Sequence, residues 1–501
     1  MSRAHFQKVA ATPAPSTHTR FRRRTGSLRA ASMLLLLVAA TAATSPAQTF
    51  KTLYNFCSRA GCTDGGLPYE MALVQGANGD LYGTTDAYGA NGYGTVFKIT
   101  TTGKLKTIYN FCSQPSCADG SYSQGGLLLA TDGSFYGVTR QGGANNYGTV
   151  FKITAAGKLT TLYSFCSQAP CTDGEYPQAG LIQATNGNFY GTTQGGGAYS
   201  GGTVFEITSK GTLTTLYSFC AVQYCADGEN PSTALTQVAD GNFYGTAFTG
   251  GGSTCYGAGT FFQMTGSGTL TPLADFCWST TGGYPDSALV QAANGNFYGT
   301  TSNSQPGYGT LYEATPTGSI SSLYTFCLQG PGCPDGAQPQ GVILGTDGNF
   351  YGTTGEFGAN GGLGTVFKIT PAGEFTLHTF SGSDGNGPSG GLLLDTNGTF
   401  YGTTSDGGGY GGGTIFSLST GLLPFVATVP TSGAAKTKVT ILGTNLTGAT
   451  AVRFNGTAAT FKVVSATEIK TTVPTGATSG PVTVATSGGT TLNSNVAFQI
   501  P

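Results

Sequence analysis

The chain has 501 residues, of which 82 are glycine, 39% are hydrophobic and only 9% are charged. Residues 1–47 hold seven of the 22 Lys and Arg residues and none of the 23 Asp and Glu, so the remainder carries 15 basic and 23 acidic side chains, a net charge of −8. That balance leaves no basic stripe and excludes nucleic acid as an expected partner. It does not signal disorder, because aromatic, β-branched segments return at regular intervals.

The chain opens on a basic stretch, Arg20, Arg22, Arg23, Arg24 and Arg29, followed by the apolar run Met33–Ala43. That run is short for a membrane span, and Ser45-Pro46-Ala47 places small residues before a cleavage point after Ala47. Residues 1–47 read as a signal peptide. The mature chain is expected outside the cytoplasm, secreted or at the cell surface, with no membrane span after cleavage.

From about residue 49 to 420 a block close to Asn/Asp-Gly-Asn-Phe-Tyr-Gly-Thr-Thr occurs seven times. Its tyrosines are Tyr82, Tyr136, Tyr190, Tyr244, Tyr298, Tyr351 and Tyr401, spaced by 54, 54, 54, 54, 53 and 50 residues. A period near 50 without helical periodicity is the mark of a β-propeller with one sheet per repeat. Each repeat reads as four strands, A to D. In the second they are 126–130, 135–139, 148–153 and 159–165. The A–B turn is Asn-Gly or Asp-Gly throughout, a pairing suited to type I′ hairpins. The repeated tyrosines are expected to pack between neighbouring sheets, with the following glycine allowing close approach.

The two ends of the array are offset by one strand. It opens with a lone D strand, Phe50–Phe56, and closes on a C strand, Thr414–Leu418, that has no D after it. Pairing these two would complete the seventh sheet and leave no open edge. The expected architecture is therefore all-β: a seven-bladed β-propeller closed by its N-terminal strand.

Twelve cysteines lie beyond residue 50. Four pairs show Cys-x4-Cys just after strand D: Cys57–Cys62, Cys112–Cys117, Cys166–Cys171 and Cys220–Cys225. Cys327–Cys333 repeats the theme with one more residue. Cys277 lacks its usual partner, and Cys255, in a loop of the same blade, is the only cysteine left to pair with it. Six disulfides are expected, each worth roughly 2 kcal/mol or less through loop entropy. Zinc is the competing reading, but four ligands would have to meet at one point, whereas these pairs recur a blade apart. No metal and no cofactor are expected.

An Asp-Gly follows most cysteine loops, at Asp64, Asp119, Asp173, Asp227, Asp335 and Asp384. One carboxylate per blade is thin for calcium, so these read as turn formers whose side chains accept backbone N–H groups two residues on. Catalysis has little to stand on. His378 is the only histidine after residue 47, so no Ser-His-Asp triad is available. A carboxylate pair of glycosidase type needs no histidine, but Glu70, Glu175, Glu206, Glu229, Glu313, Glu356 and Glu374 are isolated. The Gly-rich stretches precede strands, not helices, and so are not phosphate loops.

The B–C loops carry Tyr88, Tyr93, Tyr147, Tyr199, Tyr256, Tyr308 and Tyr410, and Trp278 lies in a D–A loop expected on the same face. Loops on a rigid scaffold commonly hold binding residues, and flat aromatic faces suit sugar rings. These residues are the candidate ligand contacts.

Near Leu422 the repeat stops. Residues 423–501 read as short alternating strands of a β-sandwich. The runs VTILGTNL, AVRFNG and TEIKTTVP resemble the IPT/TIG family of immunoglobulin-like domains, which in exported bacterial proteins act as spacers or as parts of glycan-binding surface proteins. The runs GNFYGTT, GGTVFEIT and LTTLYSF resemble the GloVer repeat family of exported bacterial proteins over about residues 50–420. That resemblance implies secretion or surface attachment and brings no catalytic residues. The functional expectation is a monomeric, non-enzymatic binding or structural protein recognising a neutral polysaccharide or a surface protein. The alternative is a secreted carbohydrate-active enzyme using carboxylates in the propeller funnel.

Overall fold

The computed structural model describes residues 48–69, 72–252, 255 and 257–500. The signal-peptide reading of residues 1–47 lies outside the described residues, as do Glu70 and Tyr256. The described chain is all-β, with helix only as three-residue 3-10 turns.

Among the described residues seven antiparallel sheets follow the repeats, six of four strands and the fifth of five. In the second, A is Leu128–Leu129, B Phe135–Thr139, C Thr149–Ile153 and D Leu159–Ser164. Strand A is thus two residues long, not five. Its predicted first part follows Gly125, and in the third and fourth repeats Pro177 or Pro231 stands just upstream, so ladder bonding starts late. The sixth repeat keeps a longer A strand, Ala337–Leu344, with a bulge, and the fifth gains an extra strand, Gly283–Pro285. Each C–D pair carries a bulge near the strand-D tyrosine position, as at Val150/Phe151 in the second repeat, which re-aims the end of D.

The lone strand Thr49–Asn55 pairs antiparallel with Thr414–Ser419, setting Phe50 opposite Leu418 and Asn55 opposite Thr414. The seventh unit is therefore built from both ends of the array, as the offset required. One further hydrogen bond joins every adjacent pair of units. The amide of Tyr122 donates to the carbonyl of Tyr93 at 3.2 Å, that of Tyr176 to Tyr147 at 3.0 Å, and that of Leu67 to Gly412 at 2.9 Å. The last of these links the first repeat to the seventh.

Packing between units rests on the repeated tyrosines. Tyr136 is fully buried and stacks on Phe189 of the next repeat with centroids 3.9 Å apart. Tyr82 meets Phe135 at 4.2 Å and Tyr351 meets Phe400 at 4.4 Å. Where the seventh repeat meets the first, Tyr401 packs in one cluster with Leu81, which takes the phenylalanine's place. Such pairs add about 1 kcal/mol each beyond simple burial. A Cβ on Gly137 would stand 2.7 Å from the Phe151 ring, so the glycine of Tyr-Gly-Thr-Thr is required by crowding. The tyrosine hydroxyls are anchored at the A–B turn. Tyr136 donates to Asp132, which also takes Lys152 at 2.6 Å. In the third repeat Asn186 replaces the aspartate, and Glu206 replaces the lysine and accepts from Tyr190 at 2.8 Å. In the first repeat the turn residue is Asn78, and Lys98 pairs with Asp80 at 3.3 Å.

Residues beyond 423 form two four-stranded antiparallel sheets, 427–429/438–442/468–472/461–465 and 457–459/449–454/482–486/491–493. Both feed one core containing Ile441, Phe454, Ile469, Val484 and Phe498. This region is seated on A–B turns of the repeats. Thr467 Oγ1 donates to the Ala77 carbonyl at 2.7 Å. Leu442 enters the cluster that holds Tyr82, Leu127 and Leu129.

Candidate ligand-binding face

In each unit the D–A loop and the B–C loop emerge at the same end. Bridges join them directly: Ser121 to Gln141, Glu175 to Gly195, Glu229 to Thr249 and Asn386 to Asp406. The six expected disulfides are all formed, five inside D–A loops and one between Cys255 and Cys277. Beneath them, buried threonine pairs such as Thr139 and Thr149, 2.8 Å apart, tie strand B to strand C.

The loop aspartates are buried and structural, but their bonding differs from the expected turn. Asp173 accepts backwards, from the Ser167 amide at 2.9 Å, the Ser167 hydroxyl at 2.9 Å, the Gln168 amide at 3.2 Å and the Tyr163 hydroxyl at 2.7 Å. The bulge in strand D brings Tyr163 to the carboxylate, a long-range partner that residue spacing does not announce. Burial, reinforced by the aspartate, pushes the Tyr109 and Tyr163 hydroxyls up to about 12. In the sixth repeat His378 takes the tyrosine's place and its Nε2 lies 2.8 Å from Asp384. Burial pulls His378 below the usual histidine range, and its ring stacks on Phe50 at 3.5 Å. Ser381 donates to Asp384, not to the histidine, so the three residues do not make a nucleophilic triad. Among the described residues no group of three or more histidine, cysteine, aspartate or glutamate side chains could hold a metal ion.

The candidate aromatics divide into two groups. Tyr199, Tyr308 and Tyr410 stand 57%, 52% and 63% exposed, and Tyr88 and Tyr93 are also exposed. Tyr147 is half-buried against Tyr176, ring centroids 5.4 Å apart, and braces the loop. Trp278 is half-buried and meets Tyr284 edge-on at 4.4 Å, and Tyr284 stacks on Phe248 at 4.8 Å. Trp278 lines a pocket of about 480 Å³ with Tyr284, Asn303, Gln305 and the Cys255–Cys277 bridge.

Sequence reasoning missed a second, more central feature. A cavity of about 300 Å³ is lined by residues that lead into strand A of all seven repeats, among them Ala72, Gly126, Gln178, Ser232, Gln340 and Gly391. No motif marks these positions, since each repeat contributes a different side chain. Nearby, Gln178 donates to Gln124 at 3.0 Å, and Arg140 sits over the Tyr176 ring at 5.6 Å. Burial raises Asp86 above the usual carboxylate range, against the pull of Gln124 and Arg140. Asp86 Oδ1 and Arg140 Nε are both buried without a hydrogen-bond partner, an arrangement costly unless something polar meets them.

The profile of the Gloeobacter/Verrucomicrobia repeat family matches residues 41–257, 168–334 and 252–464. The chain belongs to this family. No curated protein matches it. Among solved structures, a candidate gluconolactonase is similar at 10% identity over 76% of this chain and 94% of its own, with a TM-score of 0.36. A candidate 6-phosphogluconolactonase from Bacteroides uniformis is similar at 16% identity over 64% of this chain and 88% of its own, with a TM-score of 0.42. A Bacteroides thetaiotaomicron protein of unknown function is similar at 16% identity over 66% of this chain and 82% of its own, with a TM-score of 0.36.

Proposed function

We propose that residues 49–420 form a closed seven-bladed β-propeller carrying an immunoglobulin-like IPT/TIG-type sandwich at 423–501. The protein is exported after loss of residues 1–47 and acts, as a monomer, as a non-enzymatic binder of neutral polysaccharide at the cell surface or beyond it. Six disulfides favour an oxidising compartment. The observation that carries the reading is the concentration of exposed tyrosines and the Trp278 pocket on the loops of one face. Six acids of the repeats are committed to the scaffold. Asp64, Asp119, Asp173 and Asp227 hold loop amides and tyrosines, and Glu206 and Glu313 hold tyrosines and asparagines. Weak stacking contacts repeated around the face gain avidity on a repeating polymer.

The test is retention of the purified chain on immobilised neutral polysaccharides, together with assay of soluble product. Tyr199→Ala, Tyr410→Ala and Trp278→Ala, with unchanged melting temperature, should abolish retention. Retention that survives all three changes contradicts the aromatic face. Product release that depends on one carboxylate favours a carbohydrate-active enzyme, and retention of a protein partner in place of glycan redirects the reading to a surface complex.

A further inference from the structure

The charge of the chain is segregated. Residues 48–422 hold 10 basic and 22 acidic side chains, a net −12, whereas residues 423–501 hold five basic side chains and one acid, Glu468, a net +4. Three of those five bases, Lys438, Lys462 and Lys470, line one groove of about 490 Å³ between the first sheet of the C-terminal region and Thr131 in the A–B turn of the second repeat. All three are exposed. Register places Lys462 directly opposite Lys470 across the antiparallel pair 461–465/468–472. On the other side of 468–472, Thr440 stands opposite Lys470 and Lys438 opposite Thr472. Like charges directly opposite one another destabilise a sheet. Only Lys470 is compensated, by Glu468 at 2.8 Å and by its bond to Thr440 at 2.8 Å. Neither Lys438 nor Lys462 has an ion pair among the described residues. No carboxylate lines the groove.

We infer that this groove binds the oxyanion groups of an acidic polysaccharide, carboxylate or sulfate, with the lysine ammonium groups as donors. The site is separate from the loop face, because the C-terminal region is seated on the A–B turns at the opposite ends of the strands. The overall charge of −8 is the sum of −12 in residues 48–422 and +4 in residues 423–501, so it does not describe this surface.

The experiment uses the full chain and titrates it with polygalacturonate, dextran sulfate and neutral dextran at low and high salt. Saturable binding of a charged polymer, lost at high salt, is expected. Lys462→Gln with Lys438→Gln should weaken it about tenfold or more without changing the melting temperature, and Tyr199→Ala should leave it unchanged. Preference between the two charged polymers identifies the oxyanion. No binding of either at low salt, or binding indifferent to both lysine substitutions, overturns the inference whatever the outcome on the loop face.

Discussion

The loops that follow the third and fifth D strands occupy equivalent places and are built differently. In the first, Cys166–Cys171 closes a tight loop, and Asp173 gathers Tyr163, the Ser167 amide and hydroxyl, and the Gln168 amide. In the second, Ala274 replaces the tyrosine and Thr281 replaces the aspartate, whose hydroxyl accepts only the Cys277 amide, at 2.8 Å. The bridge there runs to Cys255 in the preceding B–C loop. The alanine also recurs one layer down. Ala247 stands where other repeats have threonine, and Thr260 Oγ1 is left buried without a partner. The internal network has been taken apart at this one junction, and the space beside it is the Trp278 pocket. Regular repeats spend their polar groups on holding the scaffold, and the irregular one releases them at a candidate site.

Five substitutions or deletions sharpen this contrast. Deleting residues 49–57 should have the largest effect, because it strips the outer strand from the seventh unit, bares a sheet edge and removes Phe50 from its stack with His378. Loss of soluble monomer in size-exclusion chromatography is the expected outcome, and an unaltered elution profile contradicts it. Asp173→Ala should cost roughly 3 kcal/mol or more, since several buried donors lose their acceptor at once. Thr281→Ala should cost only about 1 kcal/mol. Urea midpoints compare the two, and equal losses would dissolve the distinction between the loops. Ala247→Thr should stabilise the protein by about 1 kcal/mol by giving Thr260 the partner its counterparts have. An unchanged melting temperature would show that the orphan hydroxyl costs nothing. Glu374 gives the smallest effect. Burial, with Asp335 adding, pushes it up to about 7. A carboxyl raised in the folded state contributes stability below its unfolded value and loses it as pH rises through about 7. Glu374→Gln should therefore match the parent in melting temperature at pH 5 and exceed it at pH 8. A parent that melts at the same temperature as the variant at both values refutes the shift.

Much of the scaffold was legible because it rests on local rules. Asn-Gly and Asp-Gly mark where the A–B turns fall, although only the glycine takes positive φ, so the turns are not type I′. The tyrosine period and the offset of strand D are likewise short-range or periodic signals, and the cysteine spacings left one sensible pairing for Cys255. What escaped depends on contacts between repeats or across a loop. Asp173 was read as bonding forward to its own turn, but its donors lie five to ten residues back, one of them delivered by a bulge. The polar cluster of Asp86, Gln124, Arg140 and Gln178 carries no motif, because three different repeats supply it. Tyr93 and Tyr147 occupy equivalent places and meet Tyr122 and Tyr176, whereas the third repeat has Gly201 there; Tyr199 stands two residues earlier in its loop, at the place of Asn145, and remains exposed.

Closure of the array decides whether the loop face is a single continuous surface, and hydrogen–deuterium exchange reports on it most directly. The amides of Thr49–Asn55 that pair with Thr414–Ser419 should be as protected as those of Leu105–Asn110, and both strands of the closing pair should lose protection together as denaturant is raised. Rapid exchange at 49–55 while the other D strands remain protected would contradict the account.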